Sequence, residues 1–219
     1  MNLKGGNPLN CHICNKQTES FCHEKTSIIY YRCKLCEYIC KSSEYYQNLE
    51  RQKERYDLHQ NIEGNSGYRA YFQRFLDFTL NIISPVNSAL DFGCGRTSLL
   101  AKMFEENDIS CDYYDPIYYP TLLKKHYNLI VSIEVFEHLN NPKKTFETLI
   151  SMLTNGGYLA IQTELHPNNE EAFKVWYYHQ DPTHIVFFTK KSFEVLAKMY
   201  DCEVLASNEK NIVILRKND

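Results

Sequence analysis

The sequence predicts an α/β protein: a mainly parallel sheet covered by helices on both faces, preceded by a small cysteine-built module and a helical segment. Three observations carry this. Residues Leu90–Thr97 read Leu-Asp-Phe-Gly-Cys-Gly-Arg-Thr, with an amphipathic stretch from Ser98 to Glu106 behind them. That order is a buried strand, a tight glycine turn and a helix. From Ser88 onward short apolar runs alternate with amphipathic stretches, the pattern of strands buried on both faces. Finally, Cys11-x-x-Cys14 and Cys33-x-x-Cys36 are separated by eighteen residues, the spacing of a zinc ribbon.

Composition bounds the rest. A chain of 219 residues holds one domain of roughly 130–180 residues and a small extra module. No apolar run approaches the ~20 residues of a membrane span, and the first residues lack the apolar core of a signal peptide. Nine cysteines, an odd number crowded toward the N-terminus, suit a reducing cytoplasm better than a disulfide scaffold. The net charge of −3 argues against broad nucleic-acid binding. It is uneven, however: residues 1–41 carry six Lys/Arg against three Glu, leaving the remainder acidic.

In chain order, the ribbon comes first. The β-branched and aromatic stretch Thr26–Arg32 suits a strand leading into the second knuckle. So small a module buries little core, so the metal supplies most of its stability. Ser42/Ser43 predict an N-cap ahead of a polar helix over about 44–60. A second helix, from Tyr68 to about Ile83, carries an apolar stripe at Phe72, Phe75, Leu76 and Leu80, and Ser84-Pro85 ends it. Strands follow at 88–92, 109–114 and 127–133. A helix over 141–153 has Pro142 in its first turn and is closed by Gly156-Gly157, ahead of a strand at 158–163. A helix at 190–199 and a strand pair at 202–206 and 211–215 complete the chain. The expected divisions are 1–42, 43–84 and 85–219.

In such a sheet ligands bind beyond the carboxyl ends of the strands. Asp115 lies there, 20 residues past Gly95, where a carboxylate accepts hydrogen bonds from ribose hydroxyls; the alternative is a turn Asp ahead of Pro116. Glu134, Glu137 and His138 fall at i, i+3 and i+4. The run suits a helix start, whose macrodipole favours acids, better than it suits a metal site. The long connection from about Leu165 to Phe188 has the length of a functional loop. Its Trp176 and Tyr178 would give a pocket shape and His184 or His179 would titrate near neutrality; the alternative, favoured for His179, is a packed lid with Asp181-Pro-Thr as a turn and His184 hydrogen-bonded within it. Among the cysteines, Cys11, Cys14, Cys33 and Cys36 are the favoured metal set, with Cys22, Cys40, His12 and His23 as alternative ligands. Cys94, Cys111 and Cys202 suit buried apolar positions.

The chain resembles class I S-adenosylmethionine (SAM)-dependent methyltransferases over about residues 68–219. The pieces that carry the likeness are Leu90-Asp-Phe-Gly-Cys-Gly, Tyr114-Asp115-Pro116, Tyr127 through Leu139 and Leu153-Thr-Asn-Gly-Gly-Tyr-Leu. A bacterial subset is closer still, with a cysteine ribbon, an Arg-Tyr-x-x-His-Gln-Asn stretch (here Arg55–Asn61) and Trp-x-Tyr-x-x-Asp-Pro-Thr-His (here Trp176–His184). The resemblance implies a Rossmann-like sheet with a reversed last strand and SAM as cofactor. It places Gly93, Cys94 and Gly95 against the methionine part and Asp91 beneath the turn. Asp115 and Pro116 lie at the ribose, with Ile133 and Glu134 bordering the sulfonium. It also brings Tyr56, His59, Tyr68 and His138 toward the pocket. Thr97 stands where the family has a third glycine, so the turn must avoid positive φ there. The segment 117–126 is too short for both a helix and a full strand.

The expected function is methyl transfer to a small-molecule acceptor, with His184 as base where the acceptor must lose a proton. One alternative is an RNA methyltransferase that uses the ribbon for RNA; another is a non-catalytic binding protein whose ribbon recruits a protein partner.

Overall fold

The computed structural model describes residues 9–58, 66–83, 85–121 and 124–219. His59 and the rest of 59–65 lie outside the described residues, as does the side chain of Tyr56.

The ribbon is built from β1 (Glu19–Cys22), β2 (Ile29–Arg32) and β3 (Ile39–Lys41). Its two knuckles fold alike. Asn15 N–H donates to the Cys11 carbonyl at 3.0 Å and Glu37 N–H to that of Cys33 at 2.8 Å. Asn15 and Glu37, each following the second cysteine of a pair, take left-handed φ of 59° and 61°. β3 then pairs antiparallel with β8 (Val186–Phe187), a strand 145 residues further along, through Ile39–Phe187 and Cys40–Val186. Ribbon and long connection thus share a four-stranded sheet, β1-β2-β3-β8. Tyr30, Phe173, Tyr178 and Phe187 cluster beneath it.

A 3₁₀ turn at Ser43–Tyr45 follows, then α1 (Leu49–Leu58). The single helix expected over 44–60 is divided because Tyr46 is extended. Asn48, whose Oδ1 accepts the Arg51 N–H at 2.9 Å, starts α1 in place of Ser42/Ser43. α2 (Ser66–Ile82) carries the predicted stripe: Phe72, Phe75 and Leu76 are buried.

The main sheet contains β4 (Ser88–Phe92), β5 (Ser110–Tyr114), β6 (Tyr127–Ile133), β7 (Leu153–Gln162), β9 (Cys202–Ser207) and β10 (Ile212–Lys217), in spatial order β5-β4-β6-β7-β10-β9. β5, β4, β6 and β7 run parallel, while β10 lies antiparallel to both neighbours, the reversed last strand expected. One face packs on α2 and α3 (Leu99–Glu105). The other packs on α4 (Pro142–Ser151), α6 (Lys190–Met199) and the ribbon cysteines. α5 (Glu170–Val175) belongs to the long connection. The chain leaves β4 toward β5 and returns to β6 on its other side. The strand order therefore reverses at β4, and a crevice opens beyond its carboxyl end.

Two further expectations are corrected. Gly156-Gly157 does not close α4; both residues lie inside β7. α4 ends at Ser151, and the chain re-enters the sheet at once with Leu153 opposite Tyr127, the register shifting before Leu129 meets Tyr158. Glu134–His138 does not open a helix. Glu134 is left-handed at φ 53°, and only a 3₁₀ turn, Phe136–His138, follows. The i, i+3, i+4 face therefore does not form.

Candidate active-site cleft

The glycine turn leaves β4 against β6 and β5. Gly93 takes φ 84°, and a Cβ there would stand 2.2 Å from Val135 Cγ2. Only glycine fits. Its N–H and that of Cys94 donate to the Tyr114 carbonyl at 2.7 and 3.1 Å. Gly95, at φ 63°, has open space where a Cβ would be. The next left-handed residue is Ser98 at φ 45°, not Thr97, so the turn meets the restriction expected at 97 by rotating one residue later.

Asp115 reaches the same turn from the end of β5. Its Oδ2 accepts Gly95 N–H at 3.2 Å, and its Oδ1 accepts Ile117 and Tyr118 N–H at 2.8 and 3.0 Å. Asp91, wholly buried beneath the turn, is pushed up to about 7 by burial and by the nearby Asp115 carboxylate. Burial also drives the Cys94 thiol well above its ordinary range, so Cys94 is no nucleophile.

At the end of β6, Glu134 accepts from Tyr71 Oη and Tyr178 Oη, each at 2.8 Å. Burial, then Glu137, raises its carboxyl to about 8. His138 and His184 meet edge to face with ring centroids 4.8 Å apart. Burial, then His138, pushes His184 down to about 3. His179 faces the other way, beneath the ribbon sheet, within 3.2 Å of Tyr30 Oη.

These groups share one cleft of about 1070 Å³, at the upper limit of the roughly 300–1,000 Å³ usual for small-molecule sites. Its lining includes Asp91, Gly93, Cys94, Gly95, Asp115 and Pro116, together with Tyr68, Ile133, Glu134, His138, Tyr178 and His184. Of the expected residues within the described set, Trp176 does not reach the cleft wall; it packs on Phe173, Tyr178 and Phe187 instead. Reasoning from the sequence missed Tyr71, which extends the Tyr68/Phe72 side of α2. Asp181, expected as a turn residue, does cap a turn, its Oδ1 accepting Thr183 N–H and Oγ1–H at 2.9 and 2.6 Å, and it also lines the cleft.

At the other site, Cys11 and Cys36 Sγ stand 3.4 Å apart, Cys14 and Cys33 3.4 Å, and Cys14 and Cys36 3.7 Å. Cys22 and Cys40 are not part of this group. His12 lies against Tyr38 Oη and His23 against the Lys174 carbonyl, so neither stands in for a thiol.

The four-strand ribbon sheet also fixes the cleft wall. Lys41 N–H donates to the Ile185 carbonyl at 2.8 Å, and its Nζ to the Asp181 carbonyl at 3.0 Å. Thr189 Oγ1 and Ser192 Oγ donate to Glu37 Oε2 and the Cys36 carbonyl, both at 2.8 Å. The second knuckle is thereby tied to the segment that carries His184.

No curated protein matches the sequence. Among solved structures, the N-methyltransferase NodS from Bradyrhizobium japonicum WM9, in complex with S-adenosyl-L-homocysteine (SAH), is similar at 15% identity over 79% of this chain and 100% of that one, with a TM-score of 0.52. The mitomycin 7-O-methyltransferase MmcR is similar at 12% identity over 70% of this chain, with a TM-score of 0.52; the chain spans 58% of its length. The StiE O-methyltransferase segment is similar at 11% identity over 76% of this chain and 81% of that one, also at 0.52. Identities this low speak to the fold. A family model described as a methyltransferase domain matches residues 65–207. The match takes in α2, which the sequence reading had set in the helical segment, and every strand of the main sheet except β10. Through that match the chain belongs to the methyltransferase-domain family, and its sheet has the Rossmann-like arrangement.

Proposed function

We propose that the chain transfers the methyl group of SAM to a small-molecule acceptor held beside it in the same cleft. The carrying observation is that one cavity is lined both by the glycine turn with Asp115 and by Glu134, His138, Tyr178 and His184. Bound SAM supplies an already activated methyl on a sulfonium, so the protein's work is alignment and exclusion of water. The residues fit that ligand. The space over Gly95 is open to a methionine tail. Asp115, locked by three backbone N–H groups, keeps a carboxylate in place for ribose hydroxyls. Glu134 puts a carboxyl at the end of β6, where the resemblance sets the sulfonium. A cleft at the upper limit of ordinary ligand-site volumes suits a cofactor together with a small acceptor.

His184 does not suit the base role expected of it. Held down to about 3 by burial and His138, it has little affinity for a proton at neutral pH. The thiol set Cys11, Cys14, Cys33 and Cys36 fits structural Zn²⁺: with Zn–S near 2.3 Å, a tetrahedron has edges of roughly 3.8 Å. The acidic remainder of the chain favours a small acceptor over RNA, and two of the ribbon's cations are already engaged: the Lys41 ammonium on the Asp181 carbonyl and Arg32 on Asn168. The three divisions 1–42, 43–84 and 85–219 serve as ribbon, cap and SAM-binding domain.

Calorimetry on the full chain tests the reading. SAM and SAH are each expected to bind once per chain; absence of heat for both overturns it. Steeply salt-dependent retention of bulk RNA in a gel shift would instead favour a nucleic-acid acceptor.

A further inference from the structure

Glu137 is wholly buried, yet only one of its oxygens is answered. Thr163 Oγ1 donates to Oε2 at 2.8 Å, whereas Oε1 has no hydrogen-bond partner among the described residues. An unanswered carboxylate oxygen in the interior is costly and points to an ion or a water at that atom. Oε1 lies 3.7 Å from His138 Nε2. His138 Nδ1 is 2.9 Å from the Thr183 carbonyl, and His184 Nδ1 is 2.8 Å from that of Tyr178. A carbonyl only accepts, so each ring carries its proton on Nδ1 and leaves Nε2 unprotonated. Imidazoles anchored through one nitrogen on a backbone carbonyl are the form in which histidine ligates metals. One donor atom from each of Glu137, His138 and His184 lies within 4.8 Å of the others. Ile185 N–H donates to the Glu137 carbonyl at 2.8 Å, which pins the two contributing segments together.

We propose that Glu137 Oε1, His138 Nε2 and His184 Nε2 form a binding site for a first-row divalent cation of the zinc, iron(II) or manganese type. Two imidazoles and one carboxylate suit these ions better than magnesium or calcium, which prefer all-oxygen shells. Small side-chain rotations bring the donors to the ~2.0–2.2 Å bonds such ions make. Glu137 sits behind the wall, whereas His138 and His184 line the cleft. The remaining coordination positions therefore face the cleft and would take an oxygen donor. Glu134, next to Glu137, offsets the added charge. The site is independent of the SAM reading and of the four-thiol cluster.

The test is metal stoichiometry on the full chain, purified with its ribbon zinc. Titration with Mn²⁺, followed by loss of the free-ion electron paramagnetic resonance signal, is expected to show one equivalent bound. Glu137→Gln and His184→Ala should each weaken that binding by at least about 10-fold while zinc released by thiol modification stays at one per chain, reporting an intact ribbon. Mn²⁺ affinity unchanged in both variants would overturn the site. So would the absence, in the unmutated chain, of any Mn²⁺ or added Zn²⁺ bound beyond the ribbon's single metal. Should a variant lose its ribbon zinc, the stoichiometry of the unmutated chain decides: two metals support the site and one overturns it.

Discussion

The backbone N–H of Gly95 donates to Asp115 Oδ2 across 3.2 Å. The turn at the end of β4 and the acid at the end of β5 are thus one hydrogen-bonded unit, and a ligand that spans both meets a surface already in place. Preorganisation of this kind lowers the ordering cost of binding.

Asp115→Ala should therefore harm ligand binding more than stability. Losing a charge-assisted partner for two hydroxyls is worth about 1.5–3 kcal/mol, or roughly 10–100-fold in SAM and SAH affinity. Calorimetry reads it directly, and unchanged affinity would remove Asp115 from the cofactor site.

The two glycines should part company when substituted. Gly93→Ala sets a methyl group against Val135 in a left-handed conformation, so the expected loss exceeds the ~1–2 kcal/mol of the backbone term alone. Gly95→Ala meets only that backbone term, since nothing stands near its Cβ, but it narrows the space offered to the cofactor. Thermal melts should rank Gly93→Ala as the less stable variant, and both should bind SAH weakly.

Asp91 should make stability fall as pH rises from about 4 to about 7. Its carboxyl is raised from 3.8 to about 7 by burial and Asp115; Tyr68, Cys94 and Cys111 also face it. The folded state then holds a proton that the unfolded chain releases at lower pH. This contribution is fully favourable below the unfolded pKa and is lost as pH rises through about 7. Asp91→Asn should flatten that decline, and melting temperatures measured on both sides of neutrality will show whether the two curves converge at acid pH and separate at alkaline pH.

Removing the Zn²⁺ proposed for the ribbon should be felt at a distance. β3 pairs with β8, two residues beyond His184, so chelation should release amide protection over 183–188. The turn at 90–95, held by β5 and β6, should keep its protection. Hydrogen exchange before and after chelation distinguishes this from global unfolding, in which both segments would open together.

Much was legible in the sequence because it was local. Strand periodicity, the glycine turn, the two knuckles and the Pro142 helix start are each written within a few residues, and each forms near its expected place. Asp115 was legible too, since its separation from Gly95 follows from one strand–helix–strand passage. What failed was also local in origin: Gly156-Gly157 looked like a helix stop, but pairing with β6 absorbed both residues into β7. Glu134–His138 looked helical, but the left-handed Glu134 broke the period.

Only the tertiary structure decided which distant residues share a wall. The sequence by itself determined a parallel α/β sheet, a cysteine-built ribbon and a glycine–aspartate corner, because these follow from side-chain period and short-range spacing. It carried no signal that β3 would add to β8, that Tyr71 and Tyr178 would close on Glu134, or that Glu137 would be buried beside two imidazoles from separate segments. Such contacts depend on how the loops cross the sheet's carboxyl edge, where burial and hydrogen bonding are settled by all the packed elements at once.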